Sequence, residues 1–424
     1  MPQINYYSFY SLFHHDLDKN IFENKSIILN KKNTNQRDTK NTLNRLGKII
    51  LELISNIFDK NKGYEISLTL TGGMDSRLIL ACLLNAGVKP NCMVYGNPES
   101  KDVVYSKKLA EQLGLKFHNA VSQPPDKDWY YQWVVETIKR DNGNSHLHRA
   151  HRTAAIAEHA EMYQPKVLFT GHMGGEGIRG LTYNNYFASP FFEWVNEEKK
   201  GPLEAAKIVL KDYFLKTENI DFDTLINQVA ELPWMKHDKE LNKFYFLYGL
   251  VGDIHHAQDI RLYQTYVEKV VPFFLQKEYL EALFNSKYHF LARSRGFMGK
   301  LRNPWLYCKL IEQIYPPLLD FPLANGFSPR EYLKGLWYYV PVKVYRDFRK
   351  KDKYPPSFSY GKWYQEFVQE HALNISPEIW EIYDKKRYFE ALGKNEHRTD
   401  EGYWHKFSNP IYFDLVEKYK KAKL

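Results

Sequence analysis

Residues 65–80 read EISLTLTGGMDSRLIL, and the fold turns on how this stretch is read. Ile66 to Thr71 is a run of apolar and β-branched residues, suited to a strand buried in a parallel sheet. Gly72 and Gly73 interrupt it. Asp75 and Ser76 then open a segment whose apolar residues continue at helical spacing through Leu80, Leu83 and Leu84. A strand, a glycine turn and a helix start aim backbone N–H groups and the positive end of a helix at one point, which favours an anion such as phosphate. The glycines let the backbone approach closely, and Thr71 and Ser76 add hydroxyls. Asp75 supplies a carboxylate of the kind that holds Mg²⁺ against phosphate oxygens. The plainer alternative is a strand-to-helix turn in which Asp75 or Ser76 only caps the helix. No Lys follows the glycines, so the stretch is not a Walker A loop.

Upstream, Leu43, Leu46, Ile49, Ile50, Leu53, Ile54 and Ile57 mark an amphipathic helix, and the Asn/Lys-rich residues 30–41 read as a loop. Downstream, the pattern predicts strands over Lys89–Gly96, Lys116–Val121 and Lys166–His172. Helices are expected over Asp102–Leu113, Trp129–Arg140 and His146–Met162, with a turn at Asp141–Asn144. Such alternation implies right-handed crossovers and a parallel α/β sheet whose ligand sits at the carboxyl ends of the strands. From about residue 185 the chain reads as helical and aromatic, with no further strand-loop-helix unit. The role of residues 321–424 is not legible.

The helix expected over His146–Met162 carries His146, His148, His151 and His159 with Arg149 and Arg152. A zinc site is weighed against an exposed basic face, and no accompanying Cys or HExxH pattern supports the metal. Arg149 or Arg152 suits bidentate binding of a carboxylate or phosphate. Asp253, His255, His256 and Asp259 read as a polar network rather than a metal cage.

Thr71-Gly72-Gly73-Met74-Asp75-Ser76 resembles the Ser-Gly-Gly-x-Asp-Ser pyrophosphate loop of the N-type ATP pyrophosphatases. The flanking sequence is most similar to the asparagine synthetase-like branch, over roughly residues 43–285. After the fourth strand, Thr170 and Gly171 match the Ser and Gly of the family's second glycine-rich segment, and Glu176 matches its final Glu. Gly175 stands where the family has Asp, and His172 and Met173 replace Glu and Gly. Glu268, Pro272 and Phe273 match an acidic residue and a Pro-Phe of the substrate region.

The resemblance implies an α/β fold with an adenine nucleotide alpha hydrolase-like core at 43–190, an N-terminal arm at 1–42 and a mainly helical substrate or accessory region at 191–424. It implies ATP binding by Thr71, Gly72, Gly73, Asp75, Ser76, Val94, Thr170 and Gly171, with Mg²⁺ on Asp75 and Glu176. Catalytic roles fall on Glu176, Arg149 and a lysine, for which Lys300 and Lys309 are the candidates. The implied reaction cleaves ATP between its α and β phosphates, adenylates a small-molecule or peptide carboxylate, and lets ammonia or an amine displace AMP. Full-length asparagine synthetases begin with a glutaminase domain whose nucleophile is the Cys exposed after the initiator Met. Here position 2 is Pro2 and about 40 residues precede the core, so ammonia or an amine, supplied free or by a partner protein, replaces glutamine. A biosynthetic ligase or cyclase is the first expectation. The alternatives are sulfur or nitrogen transfer to a nucleobase or tRNA, and a catalytically silent nucleotide-binding partner protein, for which Gly175 speaks.

The chain of 424 residues is long enough for two or so domains. No uninterrupted apolar run of about 18 residues predicts a membrane span, and the first residues do not read as a signal peptide. Three scattered cysteines, Cys82, Cys92 and Cys308, fit a reducing cytoplasm rather than a disulfide framework. The net charge of +9 is diffuse, and its densest run, RDFRKKDK at 346–353, contains Asp347 and Asp352. A solvated face or weak anion attraction accounts for it better than nucleic-acid binding.

Overall fold

The computed structural model describes residues 39–122, 126–175, 207–231 (209 excepted), 257–284, 297–349, 360–394 and 401–423, with positions 286, 288, 354 and 355. The four expected strands form as β1 (Ile66–Thr69), β2 (Asn91–Tyr95), β3 (Phe117–Ala120) and β4 (Val167–Thr170), slightly shorter than the sequence pattern implies. The helices between and around them are α1 (Thr39–Asp59), α2 (Asp75–Asn85), α3 (Lys101–Gln112), α4 (Lys127–Asp141) and α5 (Ala150–Tyr163). A 3₁₀ turn, Leu147–Arg149, leads into α5.

A fifth strand, β5 (Lys269–Pro272), followed by a short turn and the helix Lys277–Phe284, corrects the expectation of no further strand-loop-helix unit beyond about residue 185. It pairs parallel to β4 from Val167↔Lys269 to Thr170↔Pro272. Four residues are too few to register a period of two among aromatic neighbours, so tertiary pairing rather than local pattern makes this strand. Its proline is tolerated because the strand lies at the sheet edge.

All pairings are parallel and the order is β3-β2-β1-β4-β5. The chain runs outward from β1 through β2 to β3, then returns to the other side of β1 for β4 and β5. The connections leaving β1 and β4 therefore diverge, opening a crevice at the carboxyl ends of two adjacent strands.

Beyond the first sheet strands come α6 (Phe222–Glu231), α7 (Ala257–Gln264), α8 (Lys277–Phe284), α9 (Phe297–Ile314), α10 (Pro329–Leu333), α11 (Leu336–Arg349), α12 (Tyr360–His371), α13 (Lys385–Lys394) and α14 (Glu401–Lys423). The core around the sheet draws on both sides of residue 190. Leu68, Leu80, Leu168 and Phe169 pack with Ile50 of α1, Leu283 of α8 and Ile311 of α9. Burying each such side chain stabilises by about 1.5–3 kcal/mol. A second, aromatic core joins Tyr130 and Val134 of α4 to Phe214, Phe367, Tyr388, Trp404 and Phe407. Among the described residues, no helix is long and apolar enough to cross a membrane.

Candidate functional site

The turn after β1 is organised by its own side chains. Ser76 Oγ accepts the Thr71 N–H at 3.1 Å, and Thr71 Oγ1 accepts the Gly73 N–H at 3.2 Å. The two hydroxyls lie 3.3 Å apart. The intervening Gly72 N–H donates to Asp102 Oδ1 of α3 at 3.2 Å. Three successive amides thus point at side-chain oxygens rather than at backbone. The reading of Asp75 or Ser76 as a helix cap is corrected: both lie inside α2, its N-cap is Met74, and no side chain caps that position. The α2 start keeps its positive end for whatever lies in the crevice.

Residues far along the chain close on this turn. The Ala324 N–H donates to the Gly72 carbonyl at 2.8 Å. A Cβ on Gly72 would lie 2.6 Å from the Ala324 Cβ, which explains the glycine. Below it, the fully buried Arg77 guanidinium donates to the carbonyls of Phe321 and Pro322. Burial lowers its pKa to about 10, yet it stays a cation at neutral pH. Arg77 thereby fastens the 321–324 segment to α2.

The turn after β4 lies against the first. A Cβ on Gly174 would stand 2.7 Å from Asp75 Cβ and Cγ and 2.8 Å from a Phe274 ring carbon. Gly171 approaches the Ser76 N–H just as closely as contact allows, at 3.4 Å from an added Cβ. Met173 between them takes φ 68°, an uncommon conformation for a side-chain-bearing residue. Tyr307 donates its hydroxyl to the Gly174 carbonyl at 2.5 Å, and Tyr279 lies 3.2 Å from that hydroxyl. Burial raises the Tyr279 hydroxyl far above its ordinary range, with the Asp75 charge adding to the shift.

Behind the β4 turn is a buried ion cluster. Asp259 of α7 accepts from Arg149 at 3.1 Å and from Arg152 through the same oxygen, and His172 Nε2 lies 3.4 Å from it. Burial pushes the Asp259 carboxyl up, but the two guanidinium groups and His172 outweigh it and hold the group well below the usual carboxylate range. His172 Nδ1 lies 2.9 Å from Thr170 Oγ1. His172 thus stands between the Thr170 hydroxyl and Asp259, linking the end of β4 to the cluster. Beside it, His151 packs 5.6 Å from the Tyr95 ring at the end of β2, and burial with Arg152 nearby holds it neutral.

The other expectations are distributed as follows. Thr71, Gly72, Gly73, Asp75, Ser76, Thr170 and Gly171 meet at the crevice, and Val94 is buried in β2. Arg149 engages an internal carboxylate, Asp259. Glu176 lies outside the described residues, as do Asp253, His255 and His256. Lys300 is in α9, and its side chain lies outside what is described. Lys309 pairs with Glu312 at 2.7 Å. Glu268 precedes β5 and pairs with Lys166 before β4, which places it at the amino edge of the sheet, opposite the crevice.

The histidines do not converge. His146 bonds to His148 and Asn409, whereas His159 bonds to His118 and, through Nε2 at 2.8 Å, to Ser67 of β1. Among the described residues, no group of three or more His, Cys, Asp or Glu side chains is arranged to hold a metal ion.

Sequence reasoning missed Asp102, Tyr279, Tyr307 and the 321–324 segment. A carboxylate in the first turn of a helix reads as complementing its dipole. Its position just after the strand beside β1 was the available signal for Asp102.

The residues present suit a phosphate chain. Three amides and two hydroxyls are bonded to rotatable side-chain oxygens, and the close approaches at Gly72 and Gly174 shape a cradle that a Cβ would fill. Asp75 adds the hard oxygen that Mg²⁺ requires. No protein-family model and no curated protein matches the chain.

Proposed function

We propose that the protein is an ATP-dependent carbon–nitrogen ligase with asparagine synthetase-like chemistry. It adenylates a carboxylate, releasing pyrophosphate, and ammonia or an amine then displaces AMP to form an amide. One observation carries this reading: three successive amides and two hydroxyls of the Thr71–Ser76 turn, gathered where the strand order of the parallel sheet reverses.

In this proposal Thr71, Gly72, Gly73 and Ser76 bind the β and γ phosphates, their N–H and O–H groups replacing present partners with phosphate oxygens. Thr170 and Gly171 form the facing wall, and Val94 lies under the nucleotide. Magnesium, held by Asp75 and Glu176, would neutralise charge on the departing pyrophosphate. Arg149, through Asp259 and His172, fixes the direction of the Thr170 hydroxyl, and Lys300 is assigned to charge on the reacting phosphoryl group. The crevice holds carboxylate and ATP together, which removes the entropic barrier to their meeting. The setting proposed is a cytoplasmic biosynthetic pathway, with ammonia free or delivered by a partner protein.

Two observations bear on the alternatives. Cys82, Cys92 and Cys308 are buried, and burial pushes the Cys92 thiol up to about 12 and the other two higher still. Such thiols make poor sulfur carriers. The Asp102 carboxylate on the Gly72 amide, with Gly175 in place of an acidic residue, favours instead a nucleotide-binding protein without turnover. The experiment is to incubate the purified chain with ATP, Mg²⁺, ammonium and a panel of carboxylates. AMP and pyrophosphate are expected. ADP and phosphate would contradict the ligase, and nucleotide binding without products for any carboxylate would favour the silent reading.

A further inference from the structure

Gly72 is held on both sides. Its carbonyl accepts from the Ala324 N–H at 2.8 Å, and its N–H donates to Asp102 Oδ1 at 3.2 Å. The two grips differ in charge. The first joins neutral backbone groups, whereas the second sets a carboxylate on an amide of the turn proposed to bind phosphate. Asp102 is the second residue of α3, which follows β2, the strand paired with β1.

This carboxylate carries its charge without a full counterion. Asp102 is half-buried, and among the described residues no Lys, Arg or His pairs with it. The start of α3 supplies only a partial positive charge. Burial raises the Asp102 carboxyl, and the bond from the Gly72 N–H offsets this only in part. A phosphate oxygen that takes the Gly72 N–H would stand about 3 Å from the nitrogen, as Asp102 Oδ1 does now. Two anionic oxygens at one donor repel, and a half-buried setting screens them less than open water does. A polyphosphate complexed with a divalent cation brings less negative charge to that place than the same ligand without metal.

We propose, resting on the reading of Thr71–Ser76 as a phosphate loop, that Asp102 is a specificity-determining residue of that site. Its charge at the Gly72 amide disfavours metal-free polyphosphate and admits the form complexed with a divalent cation. Asp102 gives up the amide when the complex enters, and its carboxylate then faces a ligand of reduced charge. An Asp102 that only held the turn in shape would act in the opposite sense. Its loss would weaken both forms of the ligand alike.

Titration calorimetry of the full chain with α,β-methylene-ATP, once with Mg²⁺ and once with EDTA, tests this. Asp102→Asn keeps an oxygen that accepts from the Gly72 N–H and removes the charge. It should tighten metal-free binding about tenfold and Mg²⁺-complexed binding about threefold or less, with unchanged thermal unfolding. Asp102→Ala should shift the two affinities in the same direction. Glu111→Gln, which removes an exposed charge at the far end of α3, should change neither. An equal effect of Asp102→Asn on the two forms, or none, overturns the proposal and leaves phosphate binding by the turn in place. Weaker binding of both forms in both Asp102 variants also overturns it and assigns Asp102 to holding the turn. Absence of binding by the parent and by Asp102→Asn, with Mg²⁺ present, overturns the phosphate-loop reading and this inference with it.

Discussion

The two glycine-bearing turns at the ends of β1 and β4 face each other but are built by different means. In the turn after β1, Thr71, Gly73 and Ser76 bond mainly to one another, within six residues of chain. The turn after β4 is held from outside. Tyr307 grips the Gly174 carbonyl, Phe274 and Asp75 fill the space beside Gly174, and His172 leans on Asp259. A turn of the first kind carries its chemistry in its own sequence. The second takes its shape from side chains nearly a hundred or more residues away.

This contrast can be broken or sharpened by substitution. The largest effect is expected for Asp259→Ala, which takes from Arg149 and Arg152 the buried carboxylate they share. Stability should fall by about 3–5 kcal/mol in urea unfolding. A fall below about 1 kcal/mol would mean that the ion cluster does not support the second turn.

Next, Gly174→Ala should cost about 1–3 kcal/mol, because its Cβ has no room beside Asp75 and Phe274. Gly73→Ala, whose Cβ meets only the Thr71 hydroxyl, at 3.2 Å, should cost less. Equal losses in chemical denaturation would erase the distinction between the turns.

Acid should act through buried histidines near both turns. Burial and the neighbouring His118 lower His159, the partner of Ser67 in β1, to about 3. The unfolded state therefore binds the extra proton between the ordinary histidine pKa of about 6.5 and that value. Stability contributed by neutral His159 is present above about pH 6.5 and is lost as pH falls, at up to about 1.4 kcal/mol per unit. Asp259 is depressed, so its contribution persists down to about pH 4, its ordinary value, and fades only below it. Unfolding followed from pH 7 to 4 should slope downward, with His151 contributing in the same sense, and His159→Gln should reduce the slope. An unchanged slope would remove His159 from the account.

The smallest effect is expected from Tyr307→Phe, which removes the hydroxyl bonded to the Gly174 carbonyl and should cost about 0.5–1.5 kcal/mol.

The same contrast explains what could be read from sequence. Four strands and the helices between them were legible because their apolar spacing is local, as in Ile66–Thr69 and Asp75–Asn85. The β1 turn was legible because six consecutive residues contain its donors. β5 was not, since Lys269–Pro272 becomes a strand through pairing with β4. Asp102, Tyr307 and the 321–324 segment were missed for a related reason: each reaches the crevice by tertiary packing, and nothing near it in sequence marks the destination. Glu268 was matched by its place in the sequence alone, and only the pairing of β5 with β4 sets it beside Lys166 at the amino edge of the sheet.

The Thr71–Ser76 turn is proposed to bind the phosphate chain of ATP. Titration calorimetry with α,β-methylene-ATP and Mg²⁺ tests it most directly, with the parent chain and Gly73→Val compared at matched thermal stability. Saturable binding by the parent is expected, competed by pyrophosphate and abolished in Gly73→Val. Equal affinity in the two proteins, or no saturable binding by the parent, would contradict it.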